Sequence, residues 1–400
     1  MSAPQPPFFR RLGAEVIATT VLALPLVMGQ LSSMMMNVID TVLAGRHSAL
    51  TQAAVAIGTA VWSVAILIVI GVLMAIPPTV AQLDGAGRRG EIGAVFRQAV
   101  WLALIFCFRY LSEGVSLTKP TMLIGLGGLV LLLPLGYALM FGRFGAPELG
   151  AMGLGIATAA TLWVQAIAYG LTLRHGRGAA DLHLFAGFEW PRWAPIADLL
   201  KIGLPMGFSV FMEGSLFVAT ALIIGSLGTL QTAAHQVAIN LASVTFMIPL
   251  GVAMATTVRV GNAVGRGDPR GVAWAGGAGY AITCGTQLAS AMVLLFGAGA
   301  IASVWTKDAA VAALAAQLMV LAAAFQFSDG IQAASAGALR GLKDTRLPAI
   351  ITVLSYWGLG MPLGYWMGIV NGQGAHGMWY GLILGLSAAA LMLTIRFVIL

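Results

Sequence analysis

The chain has 400 residues, of which 59% are hydrophobic and only 9% are charged. In soluble globular domains roughly a quarter of the residues are charged. This composition therefore excludes a soluble protein and indicates one that lies in a lipid bilayer. A formal net charge of +7 would fit a nucleic-acid-binding protein, but the positions of the basic residues along the chain favour a different explanation.

Apolar stretches of about twenty residues follow one another along the whole chain, and that length crosses the roughly 30 Å of bilayer hydrocarbon. We predict a transmembrane helix in each of ten stretches: 16–36, 53–75, 121–141, 150–173, 204–225, 233–255, 272–296, 308–326, 347–370 and 375–395. The longest polar interval runs from Arg174 to Lys201 and is too short to hold a soluble domain. The predicted fold class is therefore an all-α polytopic membrane protein.

The basic residues lie mostly on one side of this predicted topology. With ten spans and both termini in the cytoplasm, 18 of the 21 basic residues face inward, and only Arg46, Arg143 and Lys307 face outward. Basic loops are retained on the cytoplasmic side of a membrane, so this distribution supports the topology. It also explains the net charge without a nucleic-acid partner.

The two halves of the chain are a tandem repeat. Shifting the sequence by 180 residues aligns Leu24-Pro25 with Leu204-Pro205 and Gly71 with Gly251, and it gives 17 identities over the 64 positions that start at Leu24. Internal repeats of this kind are typical of secondary transporters, whose substrate site lies at the interface between the repeats.

The later parts of the halves align at an offset of 228 instead, where Pro120 matches Pro348 and Pro134 matches Pro362. The first half is therefore 48 residues shorter than the second. Where the second half has two spans, the first has only the segment 92–108, whose uninterrupted apolar part is too short to cross a bilayer. We predict a re-entrant or interfacial segment there.

These alignments give the predicted domain organisation. Residues 1–180 form an N-terminal bundle of about four spans plus the short segment, residues 181–201 form a cytoplasmic linker, and residues 202–400 form a C-terminal bundle of six spans. The two bundles are expected to be pseudo-symmetric because they derive from one repeat.

All but three of the 14 acidic residues are assigned to loops or to positions near span ends, and the three exceptions are Asp40, Glu213 and Asp329. An ionised carboxylate at such a depth costs at least roughly 2.5–3.5 kcal/mol, so its presence indicates a bound ion, a cationic ligand or a proton. The structural alternative is a carboxyl group that neighbouring hydroxyl and amide groups satisfy near the membrane surface.

Other polar or aromatic side chains could line a cavity beside these carboxylates. The candidates are Asn37, His235, Gln236, Asn240, Phe325 and Gln332. The alternative interpretation of the polar ones is hydrogen bonding between helices, at about 0.6 kcal/mol per bond on average in membranes. Gly377, Gly381 and Gly385, spaced by four, predict a face of close helix packing.

The sequence offers no motif for a metal, a nucleotide or a cofactor. The five histidines are scattered, and no HExxH or CxxC spacing occurs. The glycine-rich segment 261–270 lacks the Lys-Ser/Thr that a nucleotide-binding loop requires, and we interpret it as a cytoplasmic turn. Transport driven by ATP is therefore not expected from this chain.

Taken together, several segments resemble the multidrug and toxic compound extrusion (MATE) transporters, in their bacterial branch. The matching segments are Asp40-Thr-Val-Leu-Ala-Gly45, Leu204-Pro205 followed by Glu213, Ala233-Ala-His235-Gln236, Arg259-Val-Gly-Asn262, Gln326 with Asp329 and Gln332, and Leu339-Arg-Gly-Leu-Lys-Asp344. They extend over nearly the whole chain. The resemblance implies two pseudo-symmetric bundles around a central cavity, with alternating access driven by H⁺ or Na⁺ and no cofactor.

The resemblance also implies roles for individual residues. Glu213 and Asp329 match acidic residues implicated in cation coupling in the second bundle, and Asp40 matches the acidic residue of the first. Phe325 stands where some relatives carry tyrosine, so a hydroxyl ligand is missing. The family pattern puts Asn or Asp into the apolar stretch 131–137, which weakens any proton relay through Asp40.

The family has twelve spans in two sets of six, and the 48 missing residues correspond to about two helices of the first set. The resemblance thus implies an internally deleted member of the family. It further implies a multi-pass protein of the bacterial cytoplasmic membrane that works as a monomer on small cationic molecules.

The leading hypothesis is therefore an antiporter that exports small, mostly cationic organic compounds in exchange for H⁺ or Na⁺. A flippase for lipid-linked sugars has the same architecture. A more basic central cavity would favour that hypothesis, but no Arg or Lys falls within a predicted span. A non-transporting scaffold or degenerate remnant would fail to insert stably or to respond to ions. A membrane-embedded enzyme is the fourth possibility, although no GxSG motif or close carboxylate pair occurs.

Overall fold

The computed structural model describes residues 8–102, 104–176 and 180–400. Three parts of the sequence analysis fall outside these ranges: the N-terminus at residues 1–7, residue 103 of the short segment, and Arg177 among the inward-facing basic residues. Within the described ranges the regular structure is helical and contains no strand. The long and short helices, in chain order, are α1 (Phe8–His47), α2 (Ala49–Leu73), α3 (Ile76–Gly85), α4 (Ile92–Ala99), α5 (Leu104–Gly114), α6 (Thr118–Phe141), α7 (Gly150–His175), α8 (Trp193–Gly225), α9 (Thr229–Gly265), α10 (Pro269–Trp305), α11 (Ala309–Gly341), α12 (Arg346–Val370) and α13 (Ala375–Ile399).

Nine helices of the described part are long and apolar enough to cross a membrane, namely α1, α6, α7 and the six helices from α8 to α13. Helix α2 is also apolar and has 25 residues, which exceeds the length of about 20 that a span needs. These helices confirm the predicted all-α polytopic fold with about ten spans. Four of the ten long helices precede the linker and six follow it.

The helices extend past the apolar stretches that predicted them. Helix α8 begins at Trp193 although its apolar stretch begins at residue 204, and α11 continues to Gly341 although its apolar stretch ends at residue 326. Hydropathy detects only the part of a helix that suits hydrocarbon, whereas backbone hydrogen bonds continue until a cap ends them. Asp268, for example, caps α10 by accepting a hydrogen bond from the Gly271 amide at 2.8 Å.

The first half has two short helices where the second half has two long ones. Helices α4 and α5 contain 8 and 11 residues, whereas α10 and α11 contain 37 and 33. The predicted segment 92–108 is thus two helices, and the second continues six residues beyond the predicted end. Neither is long enough to cross a bilayer. Whether they are re-entrant or interfacial stays a prediction.

The described chain forms two compact units. Unit 1 contains α1 up to Val21 together with Phe208–Val260 and Asp268–Leu400, and unit 2 contains Leu22–Gly207 and Gly261–Gly267. Helices α1, α8 and α9 therefore each contribute residues to both units. The domain limits drawn from the repeat, 1–180, 181–201 and 202–400, stay a prediction.

Helix α12 is irregular and packs closely on α13. It contains two π-helical segments, Leu354–Gly360 and Trp366–Val370. A Cβ atom added at Gly385 would lie 2.9 Å from the Cα of Gly360, and Gly377 and Gly381 are similarly crowded by the α12 backbone. Only glycine permits this approach, so the structure confirms the packing face predicted from the glycine spacing.

The linker before α8 is docked onto α4 in unit 2. Arg97 Nε donates a hydrogen bond to Glu189 Oε1 at 2.7 Å, and the Gln98 amide donates to the Trp190 carbonyl at 3.2 Å. In the other direction, the Arg192 amide donates to Gln98 Oε1 at 2.7 Å. The short helix α4 and the linker therefore hold each other in place.

Candidate functional site

Glu213 and Asp329 are neighbours in unit 1, although they lie 116 residues apart on α8 and α11. Gln332 lies one turn after Asp329, and its side chain donates a hydrogen bond to the Glu213 carboxylate. The Asp329 side chain is only 4% exposed, and its Oδ1 atom has no hydrogen-bond partner among the described residues. The structure thus brings together two of the three predicted acidic residues and one predicted cavity residue.

Two further side chains lie nearby: Tyr356 is within electrostatic range of both carboxylates, and Arg340 is within range of Glu213. Tyr356 on α12 is fully buried, and its hydroxyl interacts with the charges of Glu213, Asp329 and Arg340. We call the five residues Glu213, Asp329, Gln332, Arg340 and Tyr356 the acidic cluster. It joins three helices, α8, α11 and α12, within unit 1.

Arg340 lies in a helix and not in the predicted loop. We predicted a cytoplasmic loop at this position, but α11 runs to Gly341 and includes Arg340. Because α11 has 33 residues and a span needs about 20, the absence of Arg and Lys from the spans stays a prediction. It lies eleven positions after Asp329, about three helical turns, so both side chains project from the same face. Its charge acts on Glu213 and stabilises the ionised carboxylate. The acidic cluster therefore contains one basic group.

Phe325 and His235 lie in the hydrophobic core of unit 1. The Phe325 ring is 2% exposed, and its centroid lies 6.0 Å from that of Phe217 and 5.7 Å from that of Trp379. Trp379 Nε1 donates a hydrogen bond to His235 Nδ1 at 3.2 Å, which assigns the proton of a neutral His235 ring to Nε2. Both candidates are therefore buried rings that pack against other aromatic side chains.

Gln236, Asn240 and Asn37 are placed differently from those buried rings. Gln236 is exposed and donates a hydrogen bond to Asn240 Oδ1 at 3.4 Å, one turn along α9. Asn37 on α1 is exposed and belongs to unit 2. The structure therefore does not bring all six cavity candidates to one place.

A second polar group in unit 1 lies one turn before Asp329 on α11. The Gln326 amide donates to Thr245 Oγ1 at 2.6 Å, and Ser290 Oγ donates to Gln326 Oε1 at 2.7 Å. Gln287 Nε2 also donates to the Gln326 carbonyl at 2.7 Å. These bonds tie α9, α10 and α11 together and fix the helix that presents Asp329.

Asp40 lies in unit 2, on the half of α1 that belongs to it. Its Oδ2 atom accepts a hydrogen bond of 3.4 Å from Thr158 on α7, and its Oδ1 atom is buried with no partner among the described residues. The neighbouring core consists of Leu43, Ala44 and Leu154, together with residues of α6. Asp40 is thus a half-buried carboxylate with one weak hydrogen bond.

A further buried acidic residue in unit 2, Glu113, was not predicted from the sequence. Its side chain is 1% exposed and accepts a hydrogen bond of 3.0 Å from Arg109 Nε, while Arg109 Nη1 also donates to Ser33 on α1 at 3.4 Å. Burial raises the pKa of the Glu113 carboxyl, and the Arg109 charge offsets that effect only in part. The signal was the Arg–Glu spacing of four, which places both side chains on one helix face.

These arrangements suit reversible binding of a cation. Carboxylate and hydroxyl oxygens that lack hydrogen-bond partners are costly to bury, and a bound cation or proton removes that cost. The described residues contain no group of three or more His, Cys, Asp or Glu side chains that could hold a metal ion.

Comparison with known proteins identifies relatives along nearly the whole chain. The family model MatE matches residues 25–125 and 205–366. A probable multidrug resistance protein NorM of Xanthomonas campestris is 51% identical over 445 aligned positions, which include 99% of this chain and 97% of that protein. The multidrug resistance protein PmpM of Pseudomonas aeruginosa is 37% identical, with 99% and 94% of the two chains covered.

The alignment with the Xanthomonas protein also supports the internal deletion. The alignment has 445 positions and this chain has 400 residues. At least 45 aligned positions are therefore gaps in this chain. The crystal structure of a eukaryotic MATE transporter has the same fold, with a TM-score of 0.86 at 18% identity, over 98% of this chain and 97% of that one. The chain belongs to the MATE (MatE) family of membrane transporters.

Proposed function

We propose that this protein is an antiporter that exports small, mostly cationic organic compounds in exchange for H⁺ or Na⁺. The observation that supports it most is the Glu213–Asp329 pair, two neighbouring carboxylates of which one has a buried oxygen atom with no partner in the described part of the chain. Relatives that share up to 51% of its residues are named multidrug resistance proteins, which points to the same class of substrate.

The coupling would arise from competition at the carboxylates. Two adjacent anions in a medium of low dielectric repel each other strongly, so the pair gains most from one positive charge between them. An entering H⁺ or Na⁺ supplies that charge on one side of the membrane, and an organic cation supplies it on the other. Because only one can be held at a time, the binding of one releases the other.

The same proposal includes the setting of the protein. We place it in the cytoplasmic membrane of a bacterium as a multi-pass monomer with both termini in the cytoplasm, because basic residues gather on that side of the predicted topology. Its partners are the bilayer and small cationic substrates, and neither a nucleotide, a nucleic acid nor a cofactor takes part. No enzymatic reaction is needed, since an ion gradient supplies the free energy.

The test is efflux of a fluorescent cation, rhodamine 6G, from proteoliposomes that contain the full chain and carry an imposed pH or Na⁺ gradient. We expect gradient-driven efflux from the wild-type chain and its loss in Glu213→Gln and in Asp329→Asn. The matched control is Asp198→Asn, which changes an acidic residue of the same helix, α8, whose side chain is 70% exposed. Absence of efflux from well-inserted wild-type protein would refute the proposal.

A further inference from the structure

Tyr356 is an unusual residue in the core of unit 1. Among the described residues it has the second-largest of the fully buried side chains, after Trp379, and the other buried members of its core are apolar. Its hydroxyl has no hydrogen-bond partner among the described residues. A buried hydroxyl without a partner destabilises a protein, so phenylalanine would suit this position better if packing were the only requirement.

The surroundings of the hydroxyl suggest why tyrosine is there. The charges of Glu213 and Asp329 act on it, and Arg340 contributes a charge of the opposite sign. The Asp329 Oδ1 atom of the same cluster is buried and also lacks a partner among the described residues. Two oxygen atoms of one cluster are therefore buried without the hydrogen bonds that such atoms normally make.

The backbone at Tyr356 is also irregular. Tyr356 is the third residue of the π-helical segment Leu354–Gly360, where the helix is wider than an α-helix. π-Helical turns are rare and occur frequently at functional sites, because they change which residues face a neighbouring helix. Helix α12 therefore departs from α-helical geometry at the point where it supplies Tyr356 to the acidic cluster.

We propose that the Tyr356 hydroxyl is a third oxygen ligand of the coupling cation, beside the carboxylates of Glu213 and Asp329. This inference rests on the proposed function and adds a residue to its binding site. The hydroxyl oxygen coordinates Na⁺ directly, or it accepts a hydrogen bond from the protonated carboxyl group when the cation is H⁺. Helix α8 supplies Glu213, α11 supplies Asp329, and α12 supplies the third oxygen atom from Tyr356.

The test measures how well each cation displaces rhodamine 6G from the full chain in lipid nanodiscs. One arm titrates Na⁺ at constant pH, and the other titrates pH without Na⁺. In Tyr356→Phe we expect the cation concentration for half-displacement to rise about fivefold, the effect of one net hydrogen bond, in the arm to which the wild type responds.

The control is Tyr280→Phe on α10, which removes a hydroxyl that hydrogen-bonds to Ser335 at 2.8 Å in the same unit. We expect its half-displacement concentration to stay within about twofold of wild type, a change smaller than one net hydrogen bond produces. Thermal melting without added cation provides the second readout. Tyr356→Phe should melt no lower than wild type because it removes an unpaired buried hydroxyl, so weaker cation binding cannot come from misfolding.

The outcomes separate this inference from the proposed function. Cation-sensitive wild-type protein together with an unchanged Tyr356→Phe variant overturns the ligand role alone. Rhodamine binding that responds to neither cation in the wild type overturns both the ligand role and the competition mechanism. A weakened response in Tyr356→Phe, with normal melting and a normal Tyr280→Phe control, establishes the ligand role.

Discussion

Arg109 and Glu113 form an ion pair of 3.0 Å within the short helix α5, and the Glu113 side chain is only 1% exposed. Removing one partner of a buried ion pair leaves an uncompensated charge, which typically costs 3–5 kcal/mol. We expect Arg109→Met to lower the free energy of unfolding by roughly that amount at pH 7, measured by thermal or denaturant unfolding in detergent. At low pH the loss should shrink, because Glu113 becomes protonated and neutral.

The matched control is Lys201→Met, which removes the basic partner of Asp198. Those two side chains are 62% and 70% exposed, so the pair contributes at most about 1 kcal/mol. Equal destabilisation by the two variants would show that the Arg109–Glu113 pair is not electrostatically buried.

Close packing between α12 and α13 predicts a strong effect of one added methyl group. A Cβ atom at Gly381 would collide with the Cα and nitrogen atoms of Gly364, which belong to the α12 backbone and cannot rotate away. We expect Gly381→Ala to lower the free energy of unfolding by roughly 1–3 kcal/mol, the usual range for overpacking. Gly285→Ala on α10 is the control, because a Cβ atom there meets nothing within 4 Å.

Gly285→Ala should leave stability unchanged or raise it by up to about 1 kcal/mol, because alanine favours a helix more than glycine does. Thermal melting of both variants in the same detergent gives the comparison. A Gly381→Ala variant as stable as Gly285→Ala would mean that the two helices separate at little cost.

The docking of the linker onto α4 should depend on pH. The hydrogen bond from Arg97 is the main reason why the pKa of Glu189 is lowered from its usual value, and Gln98 and nearby charges act in addition. A carboxyl group with a lowered pKa in the folded state stabilises that state above the unfolded pKa, about 4.3, and stops doing so as the pH falls through the folded value.

We therefore expect residues 185–192 to lose protection from hydrogen exchange when the pH falls from 6.5 to 3, after correction for the intrinsic exchange rate. Arg97→Gln should lose much of that protection already at pH 6.5. Arg88→Gln, which breaks the exposed pair with Glu91, should leave the linker unaffected. Protection that is equal at both pH values would rule out the ionic contribution.

The residues that could be predicted from the sequence are charged side chains in apolar surroundings. Glu213 and Asp329 stand out because a charge in or beside an apolar stretch is costly, and that cost is visible without a structure. The shortened first half was predictable for a similar reason, since the change of repeat offset from 180 to 228 is a property of the sequence alone.

Other residues could not be predicted from the sequence because their positions depend on helices that extend beyond the apolar stretches or differ from an ordinary α-helix. Arg340 was assigned to a loop because hydropathy declines before α11 ends at Gly341. Glu113 was hidden because α5 is too short to register as a span, so its burial in unit 2 could not be inferred. Tyr356 faces the acidic cluster from a π-helical segment, which the 3.6-residue period does not describe.

Antiport couples the movement of two species, so both movements should be measured in the same vesicles. Rhodamine 6G is added to proteoliposomes that hold a pH or Na⁺ indicator, with no ion gradient imposed at the start. We predict that uptake of the dye drives H⁺ or Na⁺ in the opposite direction, and that Asp329→Asn abolishes this countermovement while Asp198→Asn keeps it. Dye that crosses without any ion movement would rule out antiport, and an Asp329→Asn variant that exchanges as well as wild type would rule out coupling through Asp329.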